Sequence, residues 1–311
     1  MSSILEQPHP IPSQHARDLV RGAYDLHVHV DPDIIPRRIT DLELAERHAA
    51  LGLRGFVLKS HYAPTTERAQ LVTSRSSGVR AIGAITLNHG VGGMNAVAVE
   101  IAARGGARFV WMPTVDAANE ARELIDHPLG AKLPLWAVLQ QEFRALGMAT
   151  DPVRVVDDHG AVLPATRAVL RVIARHNLVL ATGHLSKDEI FAVTDAALLE
   201  GVRQIVITHP DYPTQNLSHA EQRELAAKGM YLERCVAPSI SGKVPWETLF
   251  SAIRATGVEH SLLSTDLGQP RNPPVEDGLA IIADRLLAAG FSDDEVRVMA
   301  VTNSLKLASV S

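Results

Sequence analysis

The stretch YDLHVHVDPD, from Tyr24 to Asp33, decides how the chain is read. It is short and rich in β-forming residues, with Leu26, Val28 and Val30 alternating against Asp25, His27 and His29. On a strand, alternate side chains share a face, and residues two apart lie about 6.6 Å from each other along the chain. His27 and His29 are therefore expected to project from the same side, close enough for both to reach one ion. Standing alone, the pattern fits a polar strand face satisfied by water equally well.

Outward from that stretch, apolar strand-like runs alternate with helix-like segments. The expected strands are Tyr24–Val30, Gly55–His61, Arg80–Leu87, Ala107–Thr114, Asn177–His184, Arg203–His209, Gly229–Arg234 and His260–Asp266. Between most of them lie segments such as TDLELAERHAALGL and SKDEIFAVTDAALLEG, with apolar residues at helical spacing. Several end in glycine just before the next strand, the expected helix stop. Parallel neighbours need crossover helices, so this alternation implies a parallel sheet. Eight such units match a closed (β/α)8 TIM barrel, with residues 1–311 as one domain. An open doubly wound sheet is the rival, but the glycine-rich phosphate turn after the first strand is absent. One long connection, Val115 to His176, is expected as an insertion between the fourth and fifth strands. It contains an amphipathic helix (LPLWAVLQQEFRALG) and a hairpin turning at Asp158-His159-Gly160. In a barrel it starts on the face where active sites sit, as part of a lid, a decoration or a dimer contact.

Composition bounds the partners. At 46% hydrophobic residues over 311, the chain can bury a large core. A net charge of -5 without a basic cluster argues against nucleic acid as partner. No apolar run approaches the length needed to span a membrane. The first residues lack a basic region followed by an apolar core, so no secretory signal is read. The one cysteine, Cys235, excludes an intrachain disulfide framework. A cytoplasmic protein acting on a small molecule, as a monomer or homo-oligomer, is the expectation.

The chemistry lies at the strand ends. His184 closes NLVLATGH, His209 closes RQIVITH and Asp266 closes HSLLSTD. Each is the expected last residue of an apolar strand before a polar loop. In a barrel these ends open on one mouth, so they converge there with His27 and His29. Four imidazoles and a carboxylate suit Zn, or Mn, Fe, Co or Ni, better than Ca or Mg.

With HxH on the first strand, His on the fifth, His on the sixth and Asp on the eighth, the chain resembles the amidohydrolase superfamily of metal-dependent barrels. The segment TNSLKL, Thr302 to Leu307, is similar to that superfamily's closing TNPAKL, and TGHLSKDEI and ITHPDYP resemble an uncharacterised branch of it. The resemblance implies that His27, His29 and Asp266 hold one metal, with His184 and His209 holding a second or sharing the first. It also implies that Asp266 accepts a proton from the activated water. A divalent ion lowers the pKa of bound water from about 15.7 to about 7. A neighbouring carboxylate can then take the proton and return it to the leaving group.

The sequence departs from the superfamily's commonest pattern, which places a carboxylated lysine on the fourth strand. Here that strand reads ARFVWMPT, and the lysine expected to face inward is Lys59 on the second. Three roles are open to it: a carbamate bridging two metals, a contact to a substrate carboxylate or oxyanion, and a structural ion pair. His61, His89, Arg234 and Arg271 are further candidates for substrate contact, and Arg37 and Arg38 also lie in expected mouth loops. Asp25 reads as support for a histidine ring. The expected activity is hydrolysis of an amide, cyclic amide or lactone. The alternatives are decarboxylation or hydration of an unsaturated carboxylic acid, phosphoester hydrolysis, and metal binding without catalysis.

Overall fold

The computed structural model describes residues 9–76, 78–120, 133, 135–148 and 151–309. Eight strands form one parallel sheet in sequential order: β1 Tyr24–Val28, β2 Gly55–Leu58, β3 Arg80–Thr86, β4 Ala107–Trp111, β5 Val179–Ala181, β6 Gln204–Ile207, β7 Tyr231–Cys235 and β8 Ser261–Ser264. The ring closes between β8 and β1, where Asp266 N donates to His27 O and His29 N to Leu267 O, both at 2.8 Å. This is the (β/α)8 barrel, and it excludes the open sheet.

The barrel interior is filled by Leu26, Val57, Ile82, Phe109, Trp111, Val206 and Leu262, among others. Leu307 of the last helix joins this cluster, with Arg108 Nε donating to its carbonyl at 2.9 Å. Residues of opposite parity, such as Leu58, Val110, Leu180 and Ile207, pack outward against the helices. Simple alternation breaks on β1. Leu26 belongs to the interior and Val28 to the outer layer, because the pairing with β2 shifts register between Asp25 and Val28.

Seven of the eight strands end earlier than expected, while β7 runs one residue beyond its expected end to Cys235. His184, His209 and Asp266 stand past the ends of β5, β6 and β8 rather than closing them. Helices then restart quickly. Ser186, two residues after His184, forms a capping box with Glu189, and Thr40 and Ser218 do the same with Glu43 and Glu221. Short, capped loops leave little slack in the residues between. Within the long connection, the helix Leu135–Ala145 is present. The expected hairpin reduces to a single antiparallel bridge between Val156 and Val162.

Candidate metal centre

His27 enters the mouth on β1, His29 one residue beyond it, and Asp266 two residues beyond β8. Asp266 Oδ1 lies 3.1 Å from both His27 Nε2 and His29 Nε2, and Oδ2 lies 3.6 Å from His209 Nε2. Donors bound at about 2.0 Å around a tetrahedral ion stand about 3.3 Å apart, so this spacing fits one. His209 and Asp266 both hold left-handed backbones, at φ 51° and 52°. Non-glycine residues rarely adopt that conformation, and when they do it is often at functional sites. Gly268 makes the closure possible, since a Cβ there would fall 1.5 Å from His29 O.

His184 sits farther along the mouth, its ring 5.7 Å from that of His209 and 6.3 Å from that of His61. Its Nδ1 lies 2.7 Å from Glu120 Oε1. Gly183 beside it adopts φ 60°, and a Cβ there would meet Met112 O at 2.3 Å. The five strand-end residues are thus gathered at one mouth but along an arc: His27, His29 and Asp266 share one ion-sized volume, and His209 shares a second with His27, Glu233 and Cys235.

The protonation states suit a cation. Burial, followed by the Arg37 charge, holds His29 well below its usual range, and burial brings His209 down to about 3. Burial opposes ionisation of Asp266, but the charge and hydrogen bond of His27 override it and hold the carboxyl well below the ordinary range. Neutral imidazoles and an ionised carboxylate are the forms that ligate transition metals. His27 differs. Burial and Lys59 lower its pKa, yet Glu233 and Asp266 on either side raise it overall. A cation in the Asp266 position would displace that proton.

Glu233 was not singled out from the sequence. It faces inward from β7, and its Oε1 lies 3.1 Å from His27 Nδ1. Holding the proton on Nδ1 leaves the Nε2 lone pair directed at Asp266. Arg234, chosen instead, points the other way. It is fully buried outside the barrel, donating through Nη1 to Asp211 Oδ2 (2.5 Å) and Gln222 Oε1 (2.8 Å), and through Nη2 to Thr256 Oγ1 (3.1 Å). Its part is to brace the loop that follows His209, and the substrate-contact expectation is corrected. Period-two alternation through Tyr231, Glu233 and Cys235 carries this signal, since Leu232 packs in the outer layer.

The other candidates divide. Lys59 is buried, with Nζ 2.9 Å from His27 Nε2 and 5.3 Å from the Trp111 ring centroid. Among the described residues it forms no ion pair, and burial lowers its pKa against the pull of Asp266 and Glu233. His61 stacks on His29 at 4.8 Å, with Nδ1 on Thr114 Oγ1. Asn88, also unforeseen, ties that Thr114 hydroxyl to the His61 carbonyl. His89 is exposed and bonds through Nε2 to Asp151 O, and Arg271 is exposed; neither joins the cluster. Asp25 supports backbone and hydroxyl rather than a ring, accepting from Thr265 Oγ1 (2.6 Å), Thr265 N and His27 N. It thereby anchors the residue next to Asp266.

Residues 22–233 match DUF6282, a family of unknown function. The chain belongs to that family. No curated protein matches this DUF6282 member. Among solved structures, an amidohydrolase from Pseudomonas aeruginosa gives a TM-score of 0.58 at 12% identity, covering 96% of this chain and 98% of its own. A putative 2-pyrone-4,6-dicarboxylic acid hydrolase from Pseudomonas putida gives 0.54 at 14% identity, over 92% and 97%. An enamidase described as a member of the amidohydrolase superfamily gives 0.57 at 13% identity, over 92% and 67%. At such identities the likeness is one of fold, the (β/α)8 barrel. Among its described residues no helix is long and apolar enough to cross a membrane.

Proposed function

We propose that this DUF6282 protein is a metal-dependent hydrolase of amides, cyclic amides or lactones, with Zn as the first candidate ion and Mn, Fe, Co and Ni behind it. The observation that carries the reading is the Asp266 carboxylate standing 3.1, 3.1 and 3.6 Å from three imidazole nitrogens of a buried cluster. His27, His29 and Asp266 would hold one ion, with His209 and His184 completing the site or holding a second. When bound, such an ion makes hydroxide available near neutral pH and polarises the scissile carbonyl.

The chain's own residues supply the rest. Asp266 takes the proton of the attacking water on the oxygen facing away from His27 and His29, then returns it to the leaving nitrogen or oxygen. Glu233 fixes the His27 ring so that one nitrogen always faces the site. Lys59 is a cationic donor for the oxyanion that develops on the carbonyl oxygen; were two ions bound, its neutral amine, having taken up CO2 and lost a proton to become a carbamate, would help to hold them. His61 covers the outer face of His29 and keeps bulk water off it.

The test begins with elemental analysis of protein purified without chelators, where one or two equivalents per chain are expected. Turnover is then screened across amides, cyclic amides and lactones, and repeated with Asp266→Asn. That variant removes the proton acceptor and should lower kcat by about 10²- to 10⁴-fold. Failure to take up Zn or Mn, or unchanged turnover in Asp266→Asn, would overturn the reading.

A further inference from the structure

The second ion-sized volume lies on the β7 side of the His27 ring. His209, Glu233 and Cys235 each offer it a ligand atom, all within 4.8 Å of one another, with His27 at its edge. Glu233 and Cys235 stand two apart on β7, the same spacing that relates His27 to His29, and so share a face of the strand. Both reach the same ring atom: Glu233 Oε1 lies 3.1 Å and Cys235 Sγ 4.0 Å from His27 Nδ1. His209 comes to them from just past the end of the neighbouring strand, β6.

The three side chains also share a cavity. His209, Glu233 and Cys235 are 8, 3 and 5% exposed, and they line a space of about 10 Å³ closed over by Pro238, Val244 and Leu249. That is about the room of one water-sized sphere, enough for an ion and too little for a substrate. Two polar atoms of these residues are unmatched. Glu233 spends Oε1 on His27, while its Oε2 is buried without a hydrogen-bond partner among the described residues, and so is His209 Nδ1. A buried carboxylate oxygen is costly to leave in that condition.

We propose that His209, Glu233 and Cys235 form a thiolate-containing site for a thiophilic divalent cation, Zn foremost, adjoining but distinct from the His27–His29–Asp266 volume. A carboxylate, a thiolate and a neutral imidazole together balance one divalent charge, and the sulfur favours Zn over Ca or Mg. On binding, a metal–sulfur bond replaces the S–H bond of Cys235, and the thiol proton passes to solvent. An ion held there ties the loop after β6 to the end of β7. The His27 ring stands between the two volumes, with Nε2 toward Asp266 and Nδ1 toward Glu233. Because the cavity admits no substrate, the site goes beyond the hydrolase reading and does not depend on it.

The test is cobalt substitution in the full chain, stripped with a chelator and kept reduced by a phosphine. Cys235 is the chain's one cysteine, so a thiolate-to-cobalt charge-transfer band in the near ultraviolet reports this site alone. The band is expected to appear and to saturate at one thiolate-bound ion per chain. Cys235→Ser should abolish it and leave cobalt bound at the Asp266 centre, whereas Asp266→Asn should leave the band in place. X-ray absorption on zinc-loaded wild-type protein should show a sulfur neighbour at about 2.3 Å, which decides the matter if a variant fails to fold. Metal bound with neither the band nor the sulfur neighbour would overturn the site while leaving the Asp266 centre standing. A band lost in folded Asp266→Asn, or all cobalt lost in folded Cys235→Ser, would merge the two volumes into one centre and overturn the distinct site. Wild-type protein that takes up no metal would overturn this inference and the hydrolase reading together.

Discussion

Replacing Arg234 with Met tests whether the arginine between the barrel and its helices braces the His209 loop. The guanidinium is completely buried and donates to Asp211, Gln222 and Thr256, which lie on three separate segments. Methionine fills most of the aliphatic volume, so the loss is chiefly polar. The Asp211 side chain, only 8% exposed, is left without its cation. Breaking a buried pair from one side costs about 3–5 kcal/mol, because the remaining charge is uncompensated. Asp211 still accepts from Gln222 Nε2 at 2.8 Å, which puts the expectation at the lower end, ~3 kcal/mol. Urea denaturation of the metal-free protein measures it, with exposed Arg271→Met as the control, expected within about 0.5 kcal/mol of wild type. Adding Asp211→Asn to Arg234→Met should recover part of the loss, since no charge is then stranded. A loss below about 1 kcal/mol, or one equal to that of Arg271→Met, would refute the bracing argument.

Two further outcomes follow from the same geometry. Glu233→Gln keeps the shape but removes the carboxylate that fixes the proton on His27 Nδ1, so metal affinity should fall about 10- to 100-fold with little change in thermal midpoint; competition against a chromophoric chelator reads this, and unchanged affinity would remove Glu233 from the site. His48, buried on the helix Asp41–Leu51 with its ring edge-on to Phe56, is pushed down to about 3 by burial. The unfolded chain therefore binds a proton that the folded chain refuses between about pH 6.5 and 3. Stability is full above pH 6.5 and is lost on acidification through that window, by up to ~5 kcal/mol. His48→Leu should flatten this part of the stability–pH curve in metal-free protein, and a curve with the same slope would count against it.

The chain's local pattern determined the architecture. Eight apolar runs, each followed by a helical stretch, admit few arrangements, because parallel strands need crossovers and each helix must bury one face. The position of histidines at the ends of those runs placed the candidate site, since a closed barrel brings all such ends to one rim. That His27, His29, His184, His209 and Asp266 gather at one mouth was legible for that reason.

What the tertiary structure decided concerns direction and reach. Arg234 and Glu233 are adjacent in sequence, and the packing of Leu232 against the helices decides which parity of β7 faces the site, turning the carboxylate inward and the guanidinium away. The register shift on β1 hides the same information from alternation near His27. Glu120 meets His184 from within the long connection, a pairing that no spacing encodes. Arg37 looks in sequence like any loop arginine. Its burial against Asp33 and its influence on His29 exist only once the loop after β1 is tied down, by Arg38 N donating to Gly268 O beyond β8. Periodicity fixes which elements form, because it is set by short-range geometry. Which side chains meet at the mouth is set by barrel closure, a contact between the two ends of the chain.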